Sequence, residues 1–265
     1  ITERPPPFES GKYWTEYPED INLWGASFNT TVGTWALSGE VSYRPNAPLQ
    51  IDDVEVLFGA LTPLNPLLPS YYLQYKSQLG EFAPGGYMKG WEEHKQWQAQ
   101  STIFKLFGPN NPFKANQIVF VAEAGFNYVS DLPDKDFLRY NGPGTDSGGG
   151  WDWTTGDWNN PQTELSGFAD DFSWGYRLAA RFEYNDAIGP VTVLPRLGWQ
   201  HDVSGTTPGP GGSFVDGRKQ LTLGVGFNYL KEWVFDFSYT TYMGAGKHNL
   251  LRDRDFFAAS VSYSF

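Results

Sequence analysis

The sequence predicts an all-β protein of one particular kind. It reads as a transmembrane antiparallel β-barrel with about nine strands in this chain, forming the C-terminal part of a larger barrel. Three observations predict this. The last stretch, Asp255–Phe265, alternates apolar and small polar residues, and its apolar set ends on the final aromatic. Segments of about ten alternating residues recur along all 265 residues. The connections between them alternate between long and short.

Alternation with period 2 is the signature of a strand, because successive side chains point to opposite faces. In the last stretch Phe257, Ala259, Val261, Tyr263 and Phe265 form one face, and Phe256, Ala258, Ser260, Ser262 and Ser264 the other. This resembles the C-terminal strand of bacterial outer-membrane barrels, in which a terminal Phe is the signal read by the barrel insertion machinery. An edge strand of a soluble β-sandwich would carry the same pattern over so short a stretch. The rest of the chain decides between them.

Composition bounds the choice. The chain is 17% aromatic, with 30 Gly, 19 Pro and no Cys. Mean hydropathy is −0.44, and no apolar run of about 18 residues exists, which excludes a transmembrane helix. A transmembrane barrel stays open, since half of each strand faces the lumen and hydropathy barely registers it. The absence of Cys suits passage through an oxidising periplasm. A net charge of −11 and a pI of about 4.7 exclude a nucleic-acid partner, which would require basic surface. Residue 1 is Ile and no signal peptide is visible, so the chain is expected to be processed or part of a longer one.

Residues 1–20 are Pro-rich and charged and read as loop. A strand follows at 21–30, with Trp24, Ala26 and Phe28 on one face, and another at 34–44 after a short turn. In the latter, Trp35, Leu37, Gly39, Val41 and Tyr43 oppose Ala36, Ser38, Glu40, Ser42 and Arg44. Residues 45–94 form a long, Pro-interrupted loop with an amphipathic helix expected at 68–79. Strands resume at 96–107 and, after the breaker-dense Gly108–Pro112, at 116–129, where Ile118, Phe120, Ala122, Ala124, Phe126 and Tyr128 share a face. A second long loop spans 130–172. Strands at 174–185 and 191–203 follow, joined by the short Asp186–Pro190 turn. After the 204–217 loop come strands at 218–230 and 233–243, then the loop 244–254 and the final strand.

Long connections at 45–94, 130–172, 204–217 and 244–254 therefore alternate with short ones near 31–34, 108–114, 186–190 and 230–232. Barrels of the outer membrane have long extracellular loops and short periplasmic turns; nothing in a sandwich demands this. Parity adds a constraint. With Phe265 periplasmic, an odd strand count puts residue 1 outside, whereas a single-chain bacterial barrel has an even count. An open sheet edge cannot face lipid. A missing N-terminal half, or another chain, is therefore expected to complete the barrel.

Three stretches carry a family resemblance: Tyr17–Phe28 (YPEDINLWGASF), Leu37–Pro45 (LSGEVSYRP) and Ala122–Phe126 (AEAGF). They resemble a large family of Gram-negative outer-membrane proteins known only as a domain of unknown function. Its members are similar to porins and considerably longer than this chain. The resemblance implies a bacterial outer-membrane location, a barrel fold, and contact with membrane lipid and lipopolysaccharide. By association it also implies periplasmic partners resembling lipoprotein carriers. It supplies no functional residues.

The residues themselves offer four candidates. Glu123, Arg181 and Arg196 fall mid-strand on three successive strands, on the predicted inward face, and Glu40, Arg44, Arg177, Glu183 and Asp236 extend the set. They read as a pore lining that orients a solute, as ion pairs that brace the wall, or as both. Trp151, Trp153 and Trp158 in the second long loop read as an apolar or sugar-binding rim, or as a self-packed surface loop. The loop 45–94 reads as a possible inward plug. The acidic runs Asp52-Asp53-Val-Glu55 and Asp170-Asp171 read as calcium ligands or, more simply, as solvated loop. Catalysis is not expected. There is no GxSxG and no metal-spaced His set, no cofactor or metal is implied, and His201 and Asp202, adjacent on one strand, must face opposite ways. The reading is a channel or transporter for a small, partly hydrophobic solute; the alternative is a structural barrel whose lumen is plugged.

Overall fold

Nine strands form one continuous antiparallel sheet in a computed structural model of the chain. The structure describes residues 11–68, 75–146, 148–152, 157–162, 164 and 166–265. The strands are β1 (Trp24–Val32), β2 (Trp35–Gln50), β3 (Trp91–Phe107), β4 (Gln117–Val129), β7 (Phe172–Ile188), β8 (Val191–Ser204), β9 (Lys219–Tyr229), β10 (Trp233–Met243) and β11 (Phe256–Tyr263). Each pairs with its neighbours in chain order. A separate hairpin, β5 (Gly148–Asp152) and β6 (Asp157–Gln162), interrupts the order between β4 and β7. Among the described residues β1 pairs only with β2 and β11 only with β10, so both edges of the sheet are open. Every residue of these two strands is exposed.

The turns explain the hairpin connectivity. Gly33 takes a left-handed φ of 63° in the two-residue turn between β1 and β2, a conformation that needs no Cβ. Between β9 and β10, Leu230 and Lys231 both have positive φ, the geometry of the turn whose twist matches the flanking strands.

The register sorts side chains as the alternation predicted. Trp24 faces Tyr43, Tyr43 faces Trp97, Trp97 faces Tyr128, and Tyr128 faces Phe172, giving one row across five strands. Tyr43 and Trp97 stack with centroids 4.2 Å apart. Toward the short turns a second aromatic row runs Tyr229, Trp233, Tyr263. Between the rows this face carries Ala26, Val41, Ala99, Ala124, Leu178, Leu197, Val225 and Ala259. The face is apolar across all nine strands, and much of it is exposed, including Trp24, Phe126, Leu223, Phe237 and Val261. The opposite face carries the Ser, Thr, Gln, Gly and charged positions.

The chain's true core lies elsewhere. The buried cluster comprises Ala47, Leu49, Ile51, Val129, Leu138, Tyr140 and Ala169, at the end of the sheet where the long connections emerge. These connections form one layer. Ile51 and Tyr140 make an isolated bridge, Asp52 N–H donates to Arg139 O (2.9 Å), Ala169 N–H to Tyr140 O (3.1 Å), Gly209 N–H to Asn141 O (3.0 Å) and Asp170 N–H to Thr206 O (2.8 Å).

Several expectations are corrected here. The first long loop carries a helix at Asp53–Leu61 (α1), ahead of the expected 68–79; of that range residues 69–74 lie outside the described ones, and 68 and 75–79 are not helical. Two acids of the first acidic run are structural: Asp52 caps α1, accepting from Glu55 N–H at 3.3 Å, and Asp52 and Glu55 are both fully buried, while Asp53 between them is exposed, as a solvated position should be. Glu55 in turn accepts from Gln78 N–H (2.7 Å) and lies 3.7 Å from the Arg139 guanidinium. The pattern is an Asp at the cap with Glu three residues on, which satisfies orphan N–H groups at a helix start. Asp170 likewise is not solvated loop; it pairs with Lys135 at 2.5 Å and accepts from Thr206 N–H at 2.7 Å. The first long loop is also shorter than the expected 45–94, since β2 runs on to Gln50 and β3 begins at Trp91.

Candidate functional site: the polar face of the sheet

All eight expected inward residues, Glu40, Arg44, Glu123, Arg177, Arg181, Glu183, Arg196 and Asp236, lie on the polar face, as the pairings fix by parity. Their partners differ from the expected grouping. Glu123 lies opposite Arg177, not Arg181, and Arg181 lies directly opposite Arg196. Glu183 lies opposite Gln117, and Glu40 opposite Gln100. Glu123 accepts a hydrogen bond from the Thr102 hydroxyl (3.2 Å), and Arg44 donates to Gln98 (2.8 Å) and Gln96 (3.3 Å).

Arg196 reaches across a whole strand. Its guanidinium grips both carboxylate oxygens of Asp236, one at 2.6 Å, from β8 to β10. The intervening β9 offers Gly224 and Gly226 beneath it. A Cβ on Gly224 would meet the Arg196 guanidinium carbon at 2.6 Å. The glycines are therefore what opens the path. A bidentate fork of this kind is the stronger form of ion pair. Among the described residues no carboxylate lies within ion-pair distance of Arg177 or Arg181.

At the loop end the polar face is covered. His94, Gln96, Asn127, Ser173, Asp202 and Thr240, all polar-face positions near that end, are buried. Gln96 donates to Asn127 at 2.8 Å. The connection 205–218 folds back over this face. Its Thr207 hydroxyl bonds the Ser173 hydroxyl (2.9 Å), Val215 N–H donates to Asp202 (3.0 Å), and Arg218 pairs with Asp202 at 2.7 Å. Phe214 then lies over Gly125 and Gly175, which face each other across β4 and β7. A Cβ on Gly125 would sit 3.2 Å from that ring, and one on Gly175 3.0 Å from it. Two facing glycines make a notch and one phenylalanine fills it.

Away from this layer the wall is open. Glu40, Arg177 and Arg181 are exposed, and Glu123 and Arg196 are half-buried. Described residues of the first long loop pack within the layer, Ile51 bridging Tyr140 and Glu55 accepting from Gln78 N–H.

The remaining candidates separate. Trp151 and Trp158 face each other in the backbone register of β5 and β6, while Trp153 lies outside the described residues. His201 and Asp202 do point to opposite faces: His201 packs edge-on against Tyr176, and Asp202 holds Arg218. His94 is buried against Tyr140, whose hydroxyl bonds both its ring nitrogen (2.5 Å) and Glu92 (2.8 Å). Burial, and then Glu92, push the Tyr140 hydroxyl well above its ordinary range. His248 bonds Pro143 O (2.9 Å) and Ser166 (3.2 Å), tying two loops together. Beside it Lys247 pairs with buried Glu164; burial raises that carboxyl, but Lys247, Ser166 N–H and His248 outweigh it and hold it low. Glu16 accepts from Tyr87 (2.5 Å), Trp91 (2.6 Å) and Trp14 (3.2 Å), and these donors hold its carboxyl below the usual range. Among the described residues no group of His, Asp and Glu has metal-binding geometry.

A family model described as "Protein of unknown function (DUF1302)" matches residues 1–265. The chain belongs to DUF1302. No curated protein matches it. In this DUF1302 chain the residues that sequence reasoning missed are Phe214, Tyr140 and Gly224. The signal for Phe214 was the pair Gly125 and Gly175, which the strand alternation puts on the same face as Glu123 and Arg177. Gly224 had the same signal, lying between Arg196 and Asp236 on a neighbouring inward stripe. Tyr140 had none, because it sits in a loop without period.

Proposed function

We propose that this sheet is part of the wall of a bacterial outer-membrane β-barrel, and that the complete barrel is a channel or transporter for a small, partly hydrophobic solute. One observation carries the reading: among the described residues, a polar face that is open at mid-wall and covered at the loop end, backed by an apolar face much of which is exposed. A soluble protein of this size would bury so large an apolar face. The two aromatic rows fit the interfacial girdles of a barrel. Strands such as β9 and β10, of 11 residues, run about 36 Å, or about 25 Å of depth at a tilt near 45°.

The open edges of β1 and β11 cannot face hydrocarbon, since their N–H and C=O groups would be unsatisfied. Further strands, from the rest of the protein or from another chain, close them on this reading. The insertion machinery reads the terminal strand, and lipopolysaccharide meets the loop end. The loop layer itself favours a second reading, a plugged structural barrel. The two separate in a planar lipid bilayer. The channel reading expects discrete conductance steps from the folded, full-length protein. Folded protein that inserts and never conducts would favour the plugged barrel.

A further inference from the structure

Arg181 and Arg196 are direct cross-strand partners on the polar face. Two cations in that relation repel one another. Asp236 neutralises only one of them, Arg196. Arg181 is exposed and has no carboxylate within ion-pair distance among the described residues. A wall that only braced itself would place an acid opposite Arg181, where it has a second arginine.

The strands on the other side of Arg181 break the polar pattern of this face. Val119 lies opposite Arg181 on β4, with Leu106 opposite Val119 on β3. One step toward the loop end, Phe104 faces Val121, and Val121 faces Ala179. Leu106 is 48% exposed and Phe104 37%, on a face whose other positions on β3 are all polar, from Glu92 and His94 through three Gln to Thr102. A free guanidinium thus borders an apolar shelf that is two strands wide and open to the same space.

We infer that this juxtaposition is a binding site for an amphipathic carboxylate, an alkyl or similarly apolar acid. Its carboxylate sits on Arg181, with Arg196 beside it, and its tail lies along Val119, Leu106, Val121 and Phe104. This rests on the solute-conducting reading above and names the class of solute. The guanidinium fork fits a carboxylate bidentately. Each buried CH₂ of the tail adds apolar transfer free energy, so neither the head nor the tail alone would bind as well as the two joined.

The test is calorimetric binding to the full-length protein held in amphipol, with octanoate, acetate and octanol as probes. Octanoate is expected to bind about tenfold or more tightly than acetate or octanol. Arg181→Gln is expected to lower octanoate affinity about tenfold and to leave octanol unchanged, and Arg181→Lys to restore part of the loss. Because Arg181 is exposed, the variant should fold, which heat-modifiable gel mobility checks. Octanoate binding no tighter than octanol, or unchanged in folded Arg181→Gln, overturns the site. Conductance without carboxylate preference sinks this inference and leaves the channel standing. Carboxylate binding without conductance does the reverse.

Discussion

Replacing Tyr140 by alanine is expected to dissolve the loop layer while leaving the sheet intact. Tyr140 is 1% exposed and sits where the connections meet: it bridges Ile51, and its carbonyl accepts from Ala169. Truncating a buried aromatic costs about 3–5 kcal/mol. The hydroxyl matters as well, because losing it leaves buried His94 short of a partner, at about 1–3 kcal/mol. β9 and β10 are held by their own ladders and contribute no residue to this cluster. Hydrogen exchange should therefore show faster exchange at Ile51, Asp52, Asn141, Ala169 and Asp170, with β9 and β10 unchanged. Tyr140→Phe keeps the ring and should lose only the smaller hydroxyl contribution. Unaltered loop exchange in Tyr140→Ala would mean that the layer is held by something else.

Replacing Phe214 by alanine is expected to widen the passage, on the channel reading. The ring covers the notch at Gly125 and Gly175 on the polar face, and the loop bearing it is tied down by Ser173 and Asp202. Alanine keeps those ties and removes only the ring. Single-channel conductance should rise measurably, because the ring is removed from the face that lines the passage on this reading. Gly125→Val fills the notch from below and should push the ring outward, lowering conductance instead. A Cβ there meets the ring and otherwise touches only Ala99 O at 4.0 Å, so the strand tolerates it. Equal conductance in Phe214→Ala and the parent would place the narrowest point elsewhere.

These two residues also show what was legible beforehand. The nine strands were, and the faces of all but the one at 96–107, because a period of 2 survives any tilt or curvature of the sheet; on that strand Phe104 and Leu106 fall on the polar face and Lys105 on the apolar one, which blurs the alternation. The β10 alternation of Trp233, Phe235, Phe237 and Tyr239 needs no partner to be read. Ion-pair partners were not, because they depend on register, and register depends on turns and bulges far along the chain. Arg196 could be placed on the polar face, but its reach to Asp236 required knowing that Gly224 lies between them. The acidic run at Asp52 was legible as a helix start and read as loop, since charge drew attention away from the Asp-x-x-Glu spacing. The β5–β6 hairpin escaped because Gly148, Gly149 and Gly150 carry no pattern. Loop packing around Tyr140 is set by tertiary contacts alone.

The central claim is that one face of this sheet meets lipid and the other meets water. The chain has no Cys, so single cysteines can be introduced and spin-labelled one at a time in lipid-reconstituted, full-length protein. The most direct measurement compares accessibility to oxygen, which concentrates in hydrocarbon, with accessibility to a water-soluble nickel chelate. Positions along β9 to β11 alternate cleanly: Val225, Phe237 and Ala259 on the apolar face, Thr222, Ser238 and Ser260 on the polar one. The account predicts high oxygen and low nickel accessibility at the first three and the opposite at the second three. If both sets respond to the nickel chelate alike, the apolar face does not meet lipid and the barrel wall is refuted.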